Sequence, residues 1–241
     1  MEDEETIIKR LSELLRKSTE LEGKKVIITA GGTREYIDDV RYISNASSGK
    51  MGYALAEEAY SRGAAEVILV SSARSMPAPY GVDIRYAENT ADMKKQILKE
   101  FKKSDIVIMA AAVSDIVAQE SFSGKISKKD GLLSKIKFKL NENILEILST
   151  RKSKEQFLVG FAAESGYDIK DAARKMSGRA VDMIVVNDIS RKDIGMESDF
   201  NEVGIIIEGK ERIKLKRAKK RIIAAGIWDE IIKSHKKIKK K

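Results

Sequence analysis

Cysteine is absent from this sequence of 241 residues, and histidine occurs once, at position 235. The absence of cysteine excludes disulfides, thiolate metal sites and a cysteine nucleophile, while the lone His235 leaves little for histidine catalysis or metal ligation. No apolar run approaches the roughly 18 residues that a membrane-spanning helix needs, and residues 1–5 lack the features of a secretory signal. We therefore expect a cytoplasmic globular protein with no membrane partner.

Positive charge is concentrated at the carboxyl end of the chain. The formal net charge is +9, but residues 210–241 hold 14 basic and 3 acidic residues, which leaves 32 basic and 34 acidic residues for positions 1–209. The near-neutral remainder argues against a nucleic-acid partner, and residues 233–241 lack the interleaved aromatics that single strands stack on. We expect residues 235–241 to form a solvated basic tail.

Short apolar runs rich in β-branched residues alternate with helical patterns, as is typical of a parallel α/β sheet. The predicted strands cover residues 26–30, 67–71, 106–110, 157–161 and 183–186. A β-hairpin is predicted over residues 203–208 and 212–215, followed by a helix over about 217–234. The fold class is therefore α/β and Rossmann-like, with a mostly parallel sheet flanked by helices and a C-terminal β-hairpin.

Helical spacing predicts three further helices. One begins near Met51 and stops at Gly63, a second has Thr90 as its N-cap, and a third covers about 169–178. Residues 1–22 have the pattern of a charged amphipathic helix, which is either a linker or a docking helix.

One domain is expected over residues 23–234. Within it, residues 118–139 fit neither the helical nor the strand pattern, and loops of that length are usually functional or mobile.

Three loops have the residue types of a ligand site. Gly31 and Gly32 follow the first strand, where α/β folds bind ligands, although a tight turn alone also explains such a pair. Residues 45–50, NASSGK, offer free backbone N–H groups to an anion at a helix start, or a plain serine cap. Asp115 follows the third strand and can accept a hydrogen bond from a ligand, help to hold Mg²⁺, or cap a helix.

Two other nucleotide-binding motifs do not fit this pattern. A Walker motif requires Ser or Thr directly after the lysine, where this chain has Met51. A nicotinamide-dependent oxidoreductase requires a third glycine in its phosphate turn and an acidic residue at the end of the second strand, where Ser71 and Ser72 stand.

Several cations follow the carboxyl ends of predicted strands. They are Lys125, Lys128 and Lys129 in the long segment, and Lys175 and Arg179 one turn apart on a helix. Separately such residues are usually solvated, but together they have the charge to surround a polyphosphate.

Six stretches, in this order, resemble phosphopantothenate-cysteine ligase, also called phosphopantothenoylcysteine synthetase, an enzyme of coenzyme A biosynthesis. The similarity covers about residues 24–232. The stretches are ITAGGTRE (28–35), VRYISNASSGKMG (40–52), AAAVSD (110–115), GKISKK (124–129), VGFAAES (159–165) and VDMIVVND (181–188). The resemblance implies a ligase domain that activates the carboxylate of 4'-phosphopantothenate with CTP as an acyl-cytidylate. It then condenses the acyl group with L-cysteine and releases CMP and pyrophosphate.

The resemblance also implies roles for individual residues. Lys125 matches the catalytic lysine of acyl-nucleotide formation, Asn45 the asparagine that holds the acyl intermediate, and Arg41 the arginine near the acid substrate. Lys175 and Arg179 would neutralise the triphosphate, although Arg179 stands where the family usually has lysine. The implied nucleotide-binding residues are Gly31, Ser47, Ser48, Gly49, Ala111, Asp115, Lys125, Glu142, Asn143, Ile144, Leu145, Phe161, Lys175 and Arg179.

The partners implied by the resemblance are Mg²⁺ with the nucleotide, a second copy in a homodimer, and a flavin-dependent decarboxylase, with no flavin in this chain itself. The chain is either a stand-alone ligase or one half of a bifunctional enzyme. The choice between CTP and ATP stays open, because the usual Asn-Pro-Asp-Ile segment reads Asn141-Glu142-Asn143-Ile144 here.

Overall fold

A computed structural model describes residues 18–127, 129, 131–164 and 180–238. The described strands and helices alternate along most of the chain. The strands are β1 Lys25–Ala30, β2 Arg34–Tyr36, β3 Tyr42–Ser44, β4 Glu66–Ser71, β5 Asp83–Tyr86, β6 Ile106–Met109, β7 Ile116–Ala118, β8 Phe138–Leu140, β9 Phe157–Glu164, β10 Met183–Asp188, β11 Phe200–Ile207 and β12 Ile213–Lys219. The α-helices are α1 Lys50–Ser61, α2 Thr90–Phe101, α3 Ile144–Arg151 and α4 Lys220–Ile238, and two 3₁₀ helices cover Leu132–Lys135 and Lys192–Ile194.

Eight of the strands form one sheet in the order β12-β11-β10-β9-β6-β1-β4-β5. The six strands from β10 to β5 are parallel, while β11 and β12 are antiparallel. This arrangement confirms the α/β, mostly parallel fold, the five predicted strands and the C-terminal hairpin. The sequence pattern does not predict β5, because its residues, Asp-Ile-Arg-Tyr, lack an apolar run and lie partly exposed at the sheet edge.

Successive residues of each strand face opposite sides of the sheet, so the sheet has two apolar faces. In β1, Ile28 belongs to the cluster covered by α1 and α4, and Ile27 belongs to the cluster covered by α2 and α3. Trp228 of α4 is fully buried, and its indole N–H donates to the Leu55 carbonyl oxygen of α1 at 2.9 Å. The described elements therefore form three layers, with α1 and α4 on one face of the sheet and α2 and α3 on the other.

The order of the strands fixes where a ligand crevice opens. After β1 the chain adds β4 and β5 on one side, and then returns to add β6 on the other side. Loops that leave the carboxyl ends of β1 and β6 consequently diverge, which opens a crevice at this topological switch point. Gly32, after β1, forms an isolated parallel bridge with Ala112, after β6, at the floor of this region.

The start of α2 differs from its predicted position by one residue. Asn89 is the N-cap in place of Thr90, because its side-chain oxygen accepts a hydrogen bond from the Asp92 N–H at 2.8 Å. Thr90 is the first helical residue, and its N–H and hydroxyl donate to the buried Glu35 carboxylate at 2.9 and 2.6 Å.

At the carboxyl end, α4 starts later and ends later than predicted. The strand β12 continues through Lys219, so the helix begins at Lys220 and runs for 19 residues to Ile238. His235, expected in a solvated tail, is only 9% exposed, and its ring lies 6.1 Å from the Phe157 ring. None of the helices in the described ranges is both long and apolar enough to cross a membrane.

The amino end of the described chain is not helical. Residues 18–22, predicted as the end of a helix, form turns, and the N–H of buried Leu21 donates to the Arg62 carbonyl oxygen at 3.0 Å. The other predicted helical residues, 1–17 and 169–178, lie outside the described part of the chain.

The long segment over residues 118–139 is closed at its base by a small ladder. β7 pairs antiparallel with β8, so that Ala118 lies opposite Phe138. Between them, Ile126 is buried whereas Lys125 is exposed. The segment therefore has fixed ends and at least one buried anchor.

Candidate active site

A cavity of about 450 Å³ lies at the carboxyl end of the parallel strands. Its largest lining segments are residues 109–115 after β6, 141–145 at the start of α3, 160–163 in β9 and 49–52 at the start of α1. The cavity thus occupies the crevice that the strand order creates, and its size is that of a small-molecule site.

The start of α1 presents free backbone N–H groups to this cavity. Its N-cap is Gly49, which has a left-handed backbone with φ of 80° and supplies no side-chain cap. A Cβ at this position would lie 2.9 Å from the Ala73 Cβ and 3.3 Å from the Gly31 nitrogen, so glycine is required here. Because the first turn also contains no acidic residue, its positive partial charge is available to an anionic ligand.

Ser47 and Ser48 do not cap α1. Ser47 lines the cavity, whereas the Ser48 hydroxyl donates to the Met196 carbonyl oxygen at 2.8 Å. The alternative of a plain serine cap is therefore excluded, and Ser48 joins the α1 loop to the residues before β11.

Three helices begin at the cavity wall. Lys50 of α1, Ile144 of α3 and Lys220 of α4 are first residues of their helices, and all three line the cavity. The Asn143 side chain caps α3 and Glu146 lies in its first turn, whereas the first turn of α1 has neither a side-chain cap nor an acidic residue. The start of α1 is therefore better suited to an anionic ligand than the start of α3.

Asn45 also lines the cavity and comes directly after β3. Its side-chain N–H₂ donates to the Val113 carbonyl oxygen at 3.0 Å and to the Ala112 carbonyl oxygen at 3.4 Å. The Asn45 carbonyl oxygen would lie 2.3 Å from a Cβ at Gly32, so that glycine permits the two loops to approach each other. These contacts orient Asn45 toward the backbone that follows β6.

Two carboxylates line the side of the cavity near α2 and α3. Asp115 is exposed and precedes β7, so the alternative role as a helix cap is excluded. Glu142 forms an ion pair with Lys94 of α2. In the described ranges no group of three or more Asp, Glu, His or Cys side chains could hold a metal ion.

Cations line the side of the cavity near α1 and α4. Lys50 donates to the Asp199 carboxylate at 2.6 Å, and Lys220 donates to the Met196 carbonyl oxygen at 2.9 Å. The pKa of Lys220 is lowered to about 8, chiefly by burial and also by the charge of Lys50, while the charge of Asp199 opposes the shift. The hydrogen bond from Lys50 holds the pKa of Asp199 below its usual value.

Arg41 and the loop of Lys125 are joined through a buried carboxylate, Asp38. The Asp38 carboxylate accepts hydrogen bonds from the Arg41 guanidinium at 2.5 Å and the Ile126 N–H at 3.1 Å. The next residue, Asp39, accepts from the Gly124 N–H at 2.8 Å. The residues on both sides of Lys125 are therefore held by one turn between β2 and β3.

The electrostatics of Asp38 agree with a fixed ion pair. Burial by itself would raise the pKa of this carboxyl, but three backbone N–H donors and the Arg41 charge hold the pKa below its usual value. Asp38 therefore stays ionised and keeps its hydrogen bonds to the Lys125 loop at neutral pH.

The cavity gathers most of the site residues implied by the sequence resemblance. Those that line it are Asn45, Ser47, Gly49, Ala111, Asp115, Glu142, Asn143, Ile144, Leu145 and Phe161. Four described residues do not line it, namely Gly31, Arg41, Ser48 and Lys125. Lys175 and Arg179 lie outside the described residues.

Sequence reasoning did not identify several residues of the cavity wall. Asn187 at the end of β10 lines the cavity. The side-chain N–H₂ of Asn201 in β11 donates to the side-chain oxygen of Asn187 at 3.1 Å. Asn187 follows the apolar run of β10, and this position in the sequence could have identified it as a candidate site residue. Lys220 carries no such signal, because it stands among other basic residues at the start of a predicted helix.

The chain matches curated relatives over most of its length. It is 40% identical over 235 residues to the Coenzyme A biosynthesis bifunctional protein CoaBC of Bacillus subtilis (strain 168), covering 96% of this chain and 57% of the relative. It is 41% identical over 239 residues to the protein of the same description from Thermococcus kodakarensis, covering 95% of this chain and 56% of the relative. The chain thus spans little more than half the length of these relatives.

A solved structure described as the C-terminal domain of Coenzyme A biosynthesis bifunctional protein CoaBC has the same fold. It superposes with a TM-score of 0.75 at 35% sequence identity, covering 89% of this chain and 97% of that one. A family match extends over residues 21–235, which include every described element of the sheet and the cavity. The resemblance found in the sequence is therefore confirmed, and the chain belongs to the family of the DNA/pantothenate metabolism flavoprotein C-terminal domain.

Proposed function

We propose that this chain is a phosphopantothenate-cysteine ligase. In the first step a carboxylate oxygen of 4'-phosphopantothenate attacks the α-phosphorus of CTP, so that a P–O bond to pyrophosphate breaks and an acyl-cytidylate forms. In the second step the amine of L-cysteine attacks the acyl carbon, the amine loses a proton, and CMP leaves. The products are 4'-phosphopantothenoylcysteine, CMP and pyrophosphate.

One observation carries this proposal. Nine of the nucleotide-binding residues implied by the resemblance line one cavity at the switch point of the sheet, and they come from four separate parts of the sequence. The uncapped start of α1 belongs to the wall of the same cavity, which suits the phosphates of the nucleotide and of the acid substrate. The relatives named for coenzyme A biosynthesis support the choice of substrates.

In the first step the main chemical problem is negative charge at the α-phosphate. Backbone N–H groups at the start of α1 and the ammonium groups near it would stabilise that charge without moving, because the fold fixes them beforehand. Lys125 is the proposed catalytic lysine, and Arg41 the proposed contact of the acid substrate. Asp38 accepts hydrogen bonds from Arg41 and from the loop of Lys125, so it would fix the positions of these two cations relative to each other.

In the second step the acyl group has to stay in place while cysteine attacks. Asn45 is the residue proposed to hold it, and its side chain is oriented by the carbonyl oxygens of Ala112 and Val113. No histidine or cysteine nucleophile is needed, since the amine itself is the nucleophile and the cytidylate is the leaving group.

The donor set of the cavity fits Mg²⁺ that enters with the nucleotide. Mg²⁺ is usually held by one or two carboxylates together with substrate phosphates, and Asp115 and Glu142 line the cavity. Asp115 is the residue we assign to Mg²⁺, which would neutralise charge on the phosphates when bound.

Two partners belong to the proposal. A homodimer is expected, and a flavin-dependent decarboxylase would consume the product, either as a separate protein or as part of a bifunctional one. The cytoplasm is the expected compartment, and this chain is expected to bind no flavin itself.

The reaction can be tested by leaving out one substrate at a time. With CTP and 4'-phosphopantothenate, the protein should release pyrophosphate, and CMP with phosphopantothenoylcysteine should appear only when L-cysteine is added. The same pyrophosphate assay with ATP in place of CTP measures the nucleotide preference, which we expect to favour CTP. Pyrophosphate release without the acid, or no product with all three substrates, contradicts the ligase function.

A further inference from the structure

Lys220 is a buried cation that faces the cavity. It is the first residue of α4, only 6% exposed, and part of the cavity wall. Among the described residues its Nζ donates to a single acceptor, the Met196 carbonyl oxygen, at 2.9 Å. A lysine ammonium has three N–H donors, so two of them are available to a ligand.

Lys220 has a second cation beside it. Lys50, at the start of α1, donates to the Glu197 carbonyl oxygen at 3.1 Å and to the Asp199 carboxylate at 2.6 Å. Both lysines therefore contact the same short loop before β11, and the charge of Lys50 contributes to lowering the pKa of Lys220. Asp199 is the carboxylate that faces this pair, and its side chain is 75% exposed and bound to Lys50.

Burying one ammonium next to another is unfavourable unless an anion compensates. The exposed Asp199 is hydrogen-bonded to Lys50 and attracts Lys220 only through its charge, whereas the hydrogen-bond partner of Lys220 is a neutral carbonyl. A ligand with more than one negative charge would satisfy the free donors of Lys220 and remove the repulsion from Lys50. The arrangement therefore has the chemistry of a polyphosphate subsite.

Lys220 is linked to the loop before α1 through one backbone carbonyl. The Met196 carbonyl oxygen that accepts from Lys220 also accepts from the Ser48 hydroxyl at 2.8 Å. This shared carbonyl joins Lys220 to the loop that leads into α1, whose first turn has no side-chain cap.

We infer that Lys220, with Lys50, binds the terminal phosphates of the nucleoside triphosphate, which leave as pyrophosphate. This inference rests on the proposed ligase function and adds a residue that neither the sequence motifs nor the resemblance assigns. Lys220 is a binding residue in this scheme, because it holds the leaving group through two hydrogen bonds and one charge.

The test is calorimetric titration of the whole chain with CTP and, separately, with inorganic pyrophosphate. In Lys220→Met the dissociation constants of both ligands should rise about ten- to a hundredfold, which is the usual weight of a charge-assisted hydrogen bond. Lys216→Met is the matched control, because Lys216 is an exposed lysine on β12, and it should bind as the parent does.

Lys220→Gln distinguishes a role of the lysine charge in anion binding from a structural role in holding the Met196 loop. Glutamine retains a donor for the Met196 carbonyl oxygen but has no charge, so the inference predicts that Lys220→Gln also loses affinity for CTP and pyrophosphate. Thermal unfolding would reveal whether Lys220→Met folds, and Lys220→Gln replaces it in the titrations if it does not. Normal affinity in folded Lys220→Gln shows that the lysine only holds the loop, and overturns the inference.

A kinetic arm distinguishes the two phosphate-bearing substrates. The inference predicts a higher KM for CTP in Lys220→Met and an unchanged KM for 4'-phosphopantothenate, whereas a change confined to the acid substrate overturns it. The titrations need no turnover, so parent protein that binds pyrophosphate but forms no product refutes the ligase function and leaves Lys220 as an anion-binding residue.

Discussion

The Ser48 hydroxyl and the Lys220 ammonium donate to the same atom, the Met196 carbonyl oxygen, at 2.8 and 2.9 Å. The two residues are far apart in the sequence, and one carbonyl brings the start of α1 and the start of α4 to the same side of the cavity. The loop before β11 therefore belongs to the site, although no motif indicates it. A substitution that displaces this carbonyl should affect both helix starts together.

The protonation of Lys220 predicts a pH dependence of nucleotide binding. Its pKa of about 8 in the free protein lies below the ordinary value of 10.5, and an anion prefers the protonated form. The dissociation constant for CTP should therefore rise as the pH increases through 8, since the terminal phosphate is already ionised well above about pH 6. Lys50 and Asp199 are the charged groups that face this ammonium.

Calorimetric titration with CTP between pH 7.5 and 9.5, at constant ionic strength, checks this dependence. Lys220→Met should bind weakly at every pH and show a much flatter profile in this range. A parent profile that stays flat would contradict the prediction, and an identical slope in both proteins would assign the pH dependence to another group.

Lys125→Gln should abolish formation of the acyl-cytidylate, because glutamine cannot supply positive charge to the α-phosphate. We expect a fall of at least about a hundredfold in the first step, the usual scale for removing one group that stabilises transition-state charge. Rapid quenching in the absence of cysteine, with detection of pyrophosphate, measures this step alone. Lys135→Gln, an exposed lysine in the same segment, is the control, and near-normal acyl-cytidylate formation in Lys125→Gln means that the lysine is misassigned.

Asp38→Asn should slow the same first step through the position of the Lys125 loop. The amide cannot keep the ion pair with Arg41 and all backbone hydrogen bonds at once, so unfolding should become easier by about 1–3 kcal/mol. Because small misplacements are costly in catalysis, kcat for pyrophosphate release should fall about tenfold or more, with little change in the KM for CTP.

The control for Asp38→Asn is Asp92→Asn, which changes an exposed carboxylate in the first turn of α2. If Lys125→Gln is inactive while Asp38→Asn is stable and has a normal kcat, the position of the Lys125 loop does not depend on Asp38.

Asn45→Asp should separate the two steps of the reaction. A carboxylate cannot donate to the carbonyl oxygens of Ala112 and Val113, and it repels an anionic intermediate. We expect acyl-cytidylate to form and accumulate while its reaction with cysteine slows about a hundredfold, which quenched samples analysed by mass spectrometry would detect. Equal slowing of both steps contradicts the assigned role.

The buried elements of the sheet could be predicted because each strand is a short apolar run between turn-forming residues. The run of Val67 to Ser71 and that of Ile106 to Met109 are both visible in the sequence. The strand β5 and the pair β2 and β3 could not be predicted in this way, since their residues are partly exposed and their pairing depends on neighbours distant in the sequence.

The candidate site was predictable where a loop follows a strand or begins a helix. Gly49 and Asp115 are such positions, and both line the cavity. Lys220 and Asp38 were not predictable from periodicity, because nothing local distinguishes a buried lysine in a basic segment or a turn carboxylate that pairs with a distant loop. His235 shows the same limit, since tertiary packing against Phe157 places a residue of the expected tail in the folded core.

The transfer of oxygen from the acid substrate tests the acyl-cytidylate mechanism most directly. When 4'-phosphopantothenate carries ¹⁸O in its carboxylate, the oxygen that attacks the α-phosphorus should leave with CMP after cysteine attacks the acyl carbon. Mass spectrometry should therefore find one ¹⁸O atom in each CMP molecule and none in pyrophosphate. Unlabelled CMP, or ¹⁸O in inorganic phosphate or pyrophosphate, would contradict the mechanism proposed for this site.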